Sequence, residues 1–120
     1  MIKYLEIRIL YYSIKKKIGK YSFDYLKKEI AKQNNLIIDE VPFKILKKVM
    51  YSVDRYCDKY VIDNICLYRS LIAKSMLKKR GYNVLLCCGF DKKNKLFHTW
   101  LEDKFGKTIF ENGRTYERII

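Results

Sequence analysis

The sequence predicts an α+β fold, with helices first and a small antiparallel sheet after them. Three observations carry this reading. Up to residue 80 the apolar residues recur at helical spacing, with turn and capping residues between the runs. After Gly81 the chain changes to short β-prone stretches separated by charged turns. Helical and strand signals are segregated along the chain rather than alternating, which argues against a parallel α/β sheet. At 120 residues we expect a single domain over 1–120, with a helical part over 1–60 and one further helix plus strands over 61–120. A hydrophobic content of 49% suffices for a core without staples.

Residues 2–18, IKYLEIRILYYSIKKKI, form the first expected helix. Leu5, Ile9, Tyr12 and Lys16 mark one row, and Ile7, Leu10, Tyr11 and Ile14 broaden its apolar side. Gly19 is expected to end it. A basic amphipathic helix can lie on a membrane surface, although packing on its own domain is the more frequent use. Ser22 precedes a second helix, FDYLKKEIAKQ, with Phe23, Leu26 and Ile30 inward and Asn34 and Asn35 at its end. Asp39 and Glu40 are read as opening a third, with Pro42 in its first turn, where a missing N–H costs little. Ile45, Val49, Val53 and Tyr56 run down one side of it, beside Leu46, Met50 and Cys57, as far as Tyr60.

The fourth helix, from Asp63 to Gly81, has the clearest start and stop signals. Asp63 or Asn64 can cap its N-terminus. Leu67, Leu71, Ile72 and Met76 keep one face apolar. Lys78, Lys79 and Arg80 oppose the negative end of the helix dipole, and Gly81 suits the left-handed residue that ends a helix. Beyond it, YNVLLCCGF reads as a buried strand and DKKNK as a turn. LFHTWLED is a second strand, with Leu96, His98 and Trp100 on one face and Phe97, Thr99 and Leu101 on the other. KFGK is a second turn and TIFE a third strand, so the expected sheet is a meander.

Composition narrows the function. The chain holds 26 Lys+Arg against 13 Asp+Glu, a net charge of +13. Such a balance favours nucleic acid, an anionic membrane or an acidic peptide, or simply keeps the protein soluble. A basic nucleic-acid-binding module is one alternative; against it, the aromatics sit in apolar runs rather than among basic residues on an exposed face. The N-terminal apolar stretch is interrupted by Lys3, Glu6 and Arg8, so we expect no signal peptide and a cytoplasmic location. The four cysteines are expected to be free thiols in a reducing compartment, since Cys87 and Cys88 are strand neighbours pointing to opposite faces. No apolar run is long enough to span a bilayer. No CxxC pair exists, and neither a metal nor another cofactor is expected.

Cys66 falls in the first turn of the fourth helix, where the positive helix end favours a thiolate. His98, the only histidine, follows on a strand, and an acidic or amide residue follows that. This order is the layout of a papain-type thiol acyl-transfer site, in which the imidazole serves as acid and base and a third group orients it. A lone strand histidine is otherwise a hydrogen-bonded core residue. Glu102 lies on the same strand as His98, a poor place from which to orient its far nitrogen, and Asp103 is at the turn. Glu111 is the preferred orienter and Asn112 the alternative, provided the second and third strands form a hairpin across KFGK. The backbone N–H of Cys66 is a natural oxyanion donor, with Asn64 a weaker second. Arg69 and Ser70 are read as structural, bonding the neighbouring loop, and Trp100 as core. Cys57, Cys87 and Cys88 are read as buried, inert thiols.

The stretch CLYRSLIAKSMLKKRGYNVLLCCGF, then LFHTWLE, then ENGRTYERII resembles the lasso-peptide leader peptidases, the stand-alone protease half of the split lasso biosynthesis B protein. The resemblance rests on Cys66, Leu67, Arg69, Ser70, Leu71, Arg80, Gly81, Gly89, His98, Trp100, Glu102, Glu117 and Arg118, and covers roughly residues 50–120. Thr99 stands where that family has a small alanine. The resemblance implies a papain-like/transglutaminase-like cysteine protease with Cys66 as nucleophile and His98 as general acid/base, and points to Glu111 as third member. By the same resemblance, the protein would remove the leader of a ribosomally synthesised precursor peptide, as in bacteriocin maturation, so that a macrolactam-forming cyclase can use the freed amine. A separate leader-recognition protein would present the substrate, since the chain has no spare segment for that role. Acyl transfer to an amine on the same scaffold is the other alternative.

Overall fold

The computed structural model describes residues 4–21, 23–33, 36–62, 65–91, 96–106, 108–109 and 117–118. Four helices, α1 (Tyr4–Tyr21), α2 (Phe23–Lys32), α3 (Phe43–Tyr60) and α4 (Ile65–Lys79), precede three strands, β1 (Leu85–Asp91), β2 (Leu96–Glu102) and β3 (Glu117–Arg118). The α+β expectation therefore holds.

Helix α4 is the hub, touching α1, α3, β1 and β2. Its sequence dictates this: Tyr68, Ser70, Leu71, Ile72, Ala73, Met76 and Leu77 are all buried, and a helix covered on most of its girth belongs inside. Its end is closed as expected. Gly81 has φ of +94°, the Tyr82 N–H donates to the Leu77 carbonyl at 2.9 Å, and the Gly81 N–H donates to Lys78 at 3.0 Å, a complete Schellman cap. Arg80 adds a long-range tie, donating from both terminal nitrogens to the Glu6 carboxylate of α1 at 2.9 and 3.0 Å. That bond holds the Glu6 carboxyl below its ordinary pKa, against the opposing pull of burial.

Helix α1 differs from expectation at both its end and its buried face. It runs through Gly19 to Tyr21, because one glycine in open space costs a helix only about 1 kcal/mol. Ile7, Tyr11 and Ile14 are buried, whereas Leu5, Ile9 and Tyr12 are 65%, 61% and 54% exposed. The row of Leu5, Ile9 and Tyr12 is thus the outward one. The rings beneath α1 select the buried side: Tyr11 packs edge-on against Tyr56 of α3 at 5.9 Å and Tyr68 of α4 at 5.1 Å.

Helix α3 starts at Phe43, after Pro42, and not at Asp39–Glu40. The residue before a proline is disfavoured in helical conformation, so Val41 stays outside. Asp39 is instead a clip. Its N–H donates to the Asn83 carbonyl, its Oδ2 accepts from the Asn83 N–H, both at 2.8 Å, and its carbonyl accepts from Lys104 N–H. Val49, Val53, Tyr56 and Cys57 form the buried side of α3, as its periodicity implies.

The sheet is antiparallel with strand order β2-β1-β3, not a meander. Among the described residues, the start of the expected third strand does meet β2, at the Glu102–Thr108 bridge and through the Ile109 N–H to Leu101 carbonyl bond of 2.8 Å. β3 lies on the far edge of β1, opposite Gly89 and Phe90. The same edge is capped at Leu86 by the Gln33 side chain, whose amide donates to the Leu86 carbonyl and accepts from its N–H. An unpaired strand edge needs such cover, and a side-chain amide reproduces one residue of strand. Cross-strand pairs Leu86–Leu101 and Cys88–Thr99 share the face toward α4, and Cys87–Trp100 share the other. Among the described residues, no helix is long and apolar enough to cross a membrane.

Candidate active site

Cys66 is the second residue of α4 and is half-buried. Its N–H is one of the first four of the helix, which have no intrahelical acceptor and point outward with the positive end of the dipole. None of the four cysteines is in a disulfide, but their environments differ. Burial pushes the Cys57 thiol up to about 12, against a weaker opposing pull from Arg69, and the Cys88 thiol up to about 11. Cys87 is wholly buried. Cys66 alone of the four has partial access to solvent.

His98 lies on β2, its backbone paired with Gly89 of β1, so no side chain stands directly across from it. The link between this strand and α4 is Ser70. Its hydroxyl is buried and donates to the Thr99 carbonyl at 3.3 Å, while the Thr99 hydroxyl, also buried, donates to Ser70 Oγ at 3.5 Å. Ser70 is four residues after Cys66, hence on the same helical row one turn along. The row that carries Cys66 is therefore fastened to the backbone immediately after His98. The partner of Ser70 is thus a strand and not the neighbouring loop expected from sequence. The His98 imidazole, Asp63, Asn64, Glu111 and Asn112 lie outside what the structure describes, so the orienter and the second oxyanion donor stand as expectations from sequence.

The remaining candidates have structural partners. The Trp100 indole donates to Glu102 Oε2 at 2.7 Å, both residues being buried on the face away from α4. This ties the Glu102 carboxylate to Trp100. Arg69 donates to Asp54 Oδ1 at 3.3 Å and so joins α4 to α3, again not to a loop. Burial raises the Asp54 carboxyl above its usual pKa more than Arg69 lowers it. Asp103 closes the KFGK turn by accepting from the Phe105 N–H, and Gly106 supplies a φ of +75°.

Two features escaped the sequence. Lys74 of α4 donates to the Gln33 carboxamide, and burial lowers its ammonium to about 8. Nothing local in AKQNN marks Gln33 as a buried anchor. A groove of about 310 Å³ is lined by Tyr4, Leu5, Arg8, Tyr11, Tyr12, Tyr56 and Tyr60. The signal for it was the 11 tyrosines of the chain. Exposed aromatics do sit among cations here: Arg8 lies over Tyr12, Arg55 over Tyr51 and Lys59 over Tyr60, at 5.9, 5.5 and 5.3 Å. The contrary expectation from sequence is corrected. Among the described residues, no cluster of three or more His, Cys, Asp or Glu could hold a metal ion.

A profile of the Transglutaminase-like superfamily matches residues 24–119, and the chain belongs to that superfamily. No curated protein and no solved structure gives a significant match. The α+β architecture is consistent with a transglutaminase-like fold, and the superfamily fits a cysteine peptidase or an acyltransferase.

Proposed function

We propose that this transglutaminase-like protein is a cysteine peptidase that removes the leader from a lasso precursor peptide, freeing the core N-terminus for macrolactam cyclisation. One observation supports the chemistry above others: α4, whose positive end carries Cys66, is bonded through Ser70 to the Thr99 carbonyl of β2, the strand that also carries His98. The resemblance over residues 50–120 supports the substrate, the separate leader-recognition protein and the cyclase as partners.

In this reading the Cys66 thiolate attacks the scissile carbonyl carbon, and the Cys66 N–H donates to the oxyanion that forms. His98, protonated, gives its proton to the leaving amine as the C–N bond breaks, leaving a thioester on Cys66. Water then attacks the thioester while His98 takes its proton. The C–S bond breaks, the acid product leaves and the thiolate returns. Glu111, or Asn112 in its place, orients the imidazole.

The test incubates the protein with its precursor peptide and recognition partner. Cys66→Ala and His98→Ala should each abolish cleavage; native-rate cleavage by either variant contradicts the mechanism. Glu111→Ala should cost less than either, and a larger loss in Asn112→Ala would move the orienting role there. Acyl transfer, which the superfamily also accommodates, predicts products heavier by an added amine in mass spectrometry.

A further inference from the structure

We propose that the tyrosine-lined groove between α1 and α3 binds an acidic segment of the substrate peptide carrying an apolar anchor side chain. The proposal rests on the peptidase reading for the identity of the peptide, and on the groove itself for the binding.

The groove has a rigid floor and an exposed rim. Tyr11 and Tyr56 form the floor, buried and packed edge-to-face at 5.9 Å. Tyr4, Leu5, Tyr12 and Tyr60 form the rim and are 40%, 65%, 54% and 49% exposed. Large apolar side chains gathered round a concavity mark an interaction site more often than scattered ones do. Its volume of about 310 Å³ suits one or two side chains rather than a folded partner. Because the floor is already locked, a ligand would order little of the protein on binding.

The charge around the groove selects the occupant. α1 and α3 carry only three acidic residues, Glu6, Asp54 and Asp58. Glu6 is turned inward to Arg80 and Asp54 to Arg69. Asp58 is the remaining exposed carboxylate, beside Lys59. The cations Arg8, Lys15 and Lys59 surround the tyrosines. Acidic side chains are therefore attracted, and Leu5 with the rings takes the apolar anchor. Nucleic-acid bases need free ring faces on which to stack. Here the ring faces of Tyr12 and Tyr60 already carry Arg8 and Lys59. This favours a peptide.

The rim of the groove and the nucleophile are also close along the chain. From Tyr60 the chain passes Ile62, 88% exposed, and Ile65, 37% exposed, to Cys66. Six residues span at most about 20 Å, so the rim and Cys66 fall within reach of one short extended peptide.

The experiment uses the full-length Cys66→Ala protein and fluorescence anisotropy, so that it does not depend on turnover. The probe is a fluorescein-labelled twelve-residue peptide, (Glu-Leu-Glu-Phe)₃. Its comparators are (Lys-Leu-Lys-Phe)₃, oligo-dT of twelve nucleotides, and phosphatidylglycerol vesicles. Binding should favour the acidic peptide and weaken about tenfold in Arg8→Glu and about threefold in Leu5→Ser. Lys44→Glu, the same charge change at the opposite end of α3, should stay within twofold. Both rim residues are exposed, so folding is retained, and circular dichroism checks it. Equal losses in Arg8→Glu and Lys44→Glu, no preference for the acidic peptide, or loss of oligo-dT or vesicle binding in place of peptide binding would each overturn the proposal. Failure of the peptidase reading shows separately, as absent cleavage by the wild-type protein.

Discussion

At its C-terminal end α4 is held by a Schellman cap on Gly81, by the two bonds from Arg80 to Glu6, and by the buried side chains of Met76 and Leu77. At its N-terminal end Cys66 is half-buried, and Ile62 and Ile65 near it in the chain are exposed. One helix thus has a closed end and an open one. The closed end fixes the axis along which the N-terminal N–H groups point. The open end gives the Cys66 thiol partial access to solvent. Stability and reactivity should therefore separate along the helix, and substitutions can break that separation or sharpen it.

The largest effect is expected at the open end, and on activity alone. Cys66→Ala should lower cleavage by at least about 10³-fold while leaving the urea midpoint nearly unchanged. Coupled loss of stability would show that the first turn is part of the core. At the closed end the order reverses. Leu77 is fully buried, and Leu77→Ala should cost about 3 kcal/mol in urea unfolding, with the catalytic rate of the folded fraction retained. Gly81→Ala meets no atom within 4 Å of the added carbon, so its cost is conformational, about 1 kcal/mol.

Glu6→Gln should be the smallest change and depends on pH. The Glu6 pKa is depressed in the folded state by Arg80. The stabilisation is therefore fully present above the unfolded value near 4.3 and is lost as pH falls through the lower folded value. Glu6→Gln should cost about 0.5 kcal/mol at pH 7 and nothing once both states are protonated. A pH-independent cost in thermal melts would mean that the pair acts by packing and not by charge.

The extent to which this was legible in the sequence follows from how local each cause is. The closed end of α4 was readable because caps depend on a few adjacent residues, Lys78 to Tyr82. The start of α3 was misread because Asp39 answers to Asn83, 44 residues away. Periodicity found α1 but not which side is buried, since apolar residues cover much of its circumference and the rings of Tyr56 and Tyr68 make the choice. The start of the expected third strand does meet β2, at Thr108 and Ile109, whereas β3 at Glu117–Arg118 on the far edge of β1 was not foreseen, because pairing is decided by which edge is open and not by the strand's own residues. At the candidate site, the order cysteine, histidine, acid is a reading of the sequence, and the structure adds that α4 and β2 are in contact. The Ser70–Thr99 bond that fastens α4 to β2 joins two common hydroxyl residues 29 positions apart, and no local pattern announces it.

The central claim is that Cys66, at the open end, is a thiol activated by His98. Its most direct test is the rate of iodoacetamide alkylation of the folded protein against pH, read by peptide mass spectrometry. One adduct is expected, on Cys66, forming at a substantial rate below pH 7, with that low-pH reactivity lost in His98→Ala. Cys57, Cys87 and Cys88 should react only after unfolding. Labelling of Cys66 that rises only near pH 8.5, as for an ordinary thiol, and is unchanged in His98→Ala would contradict it.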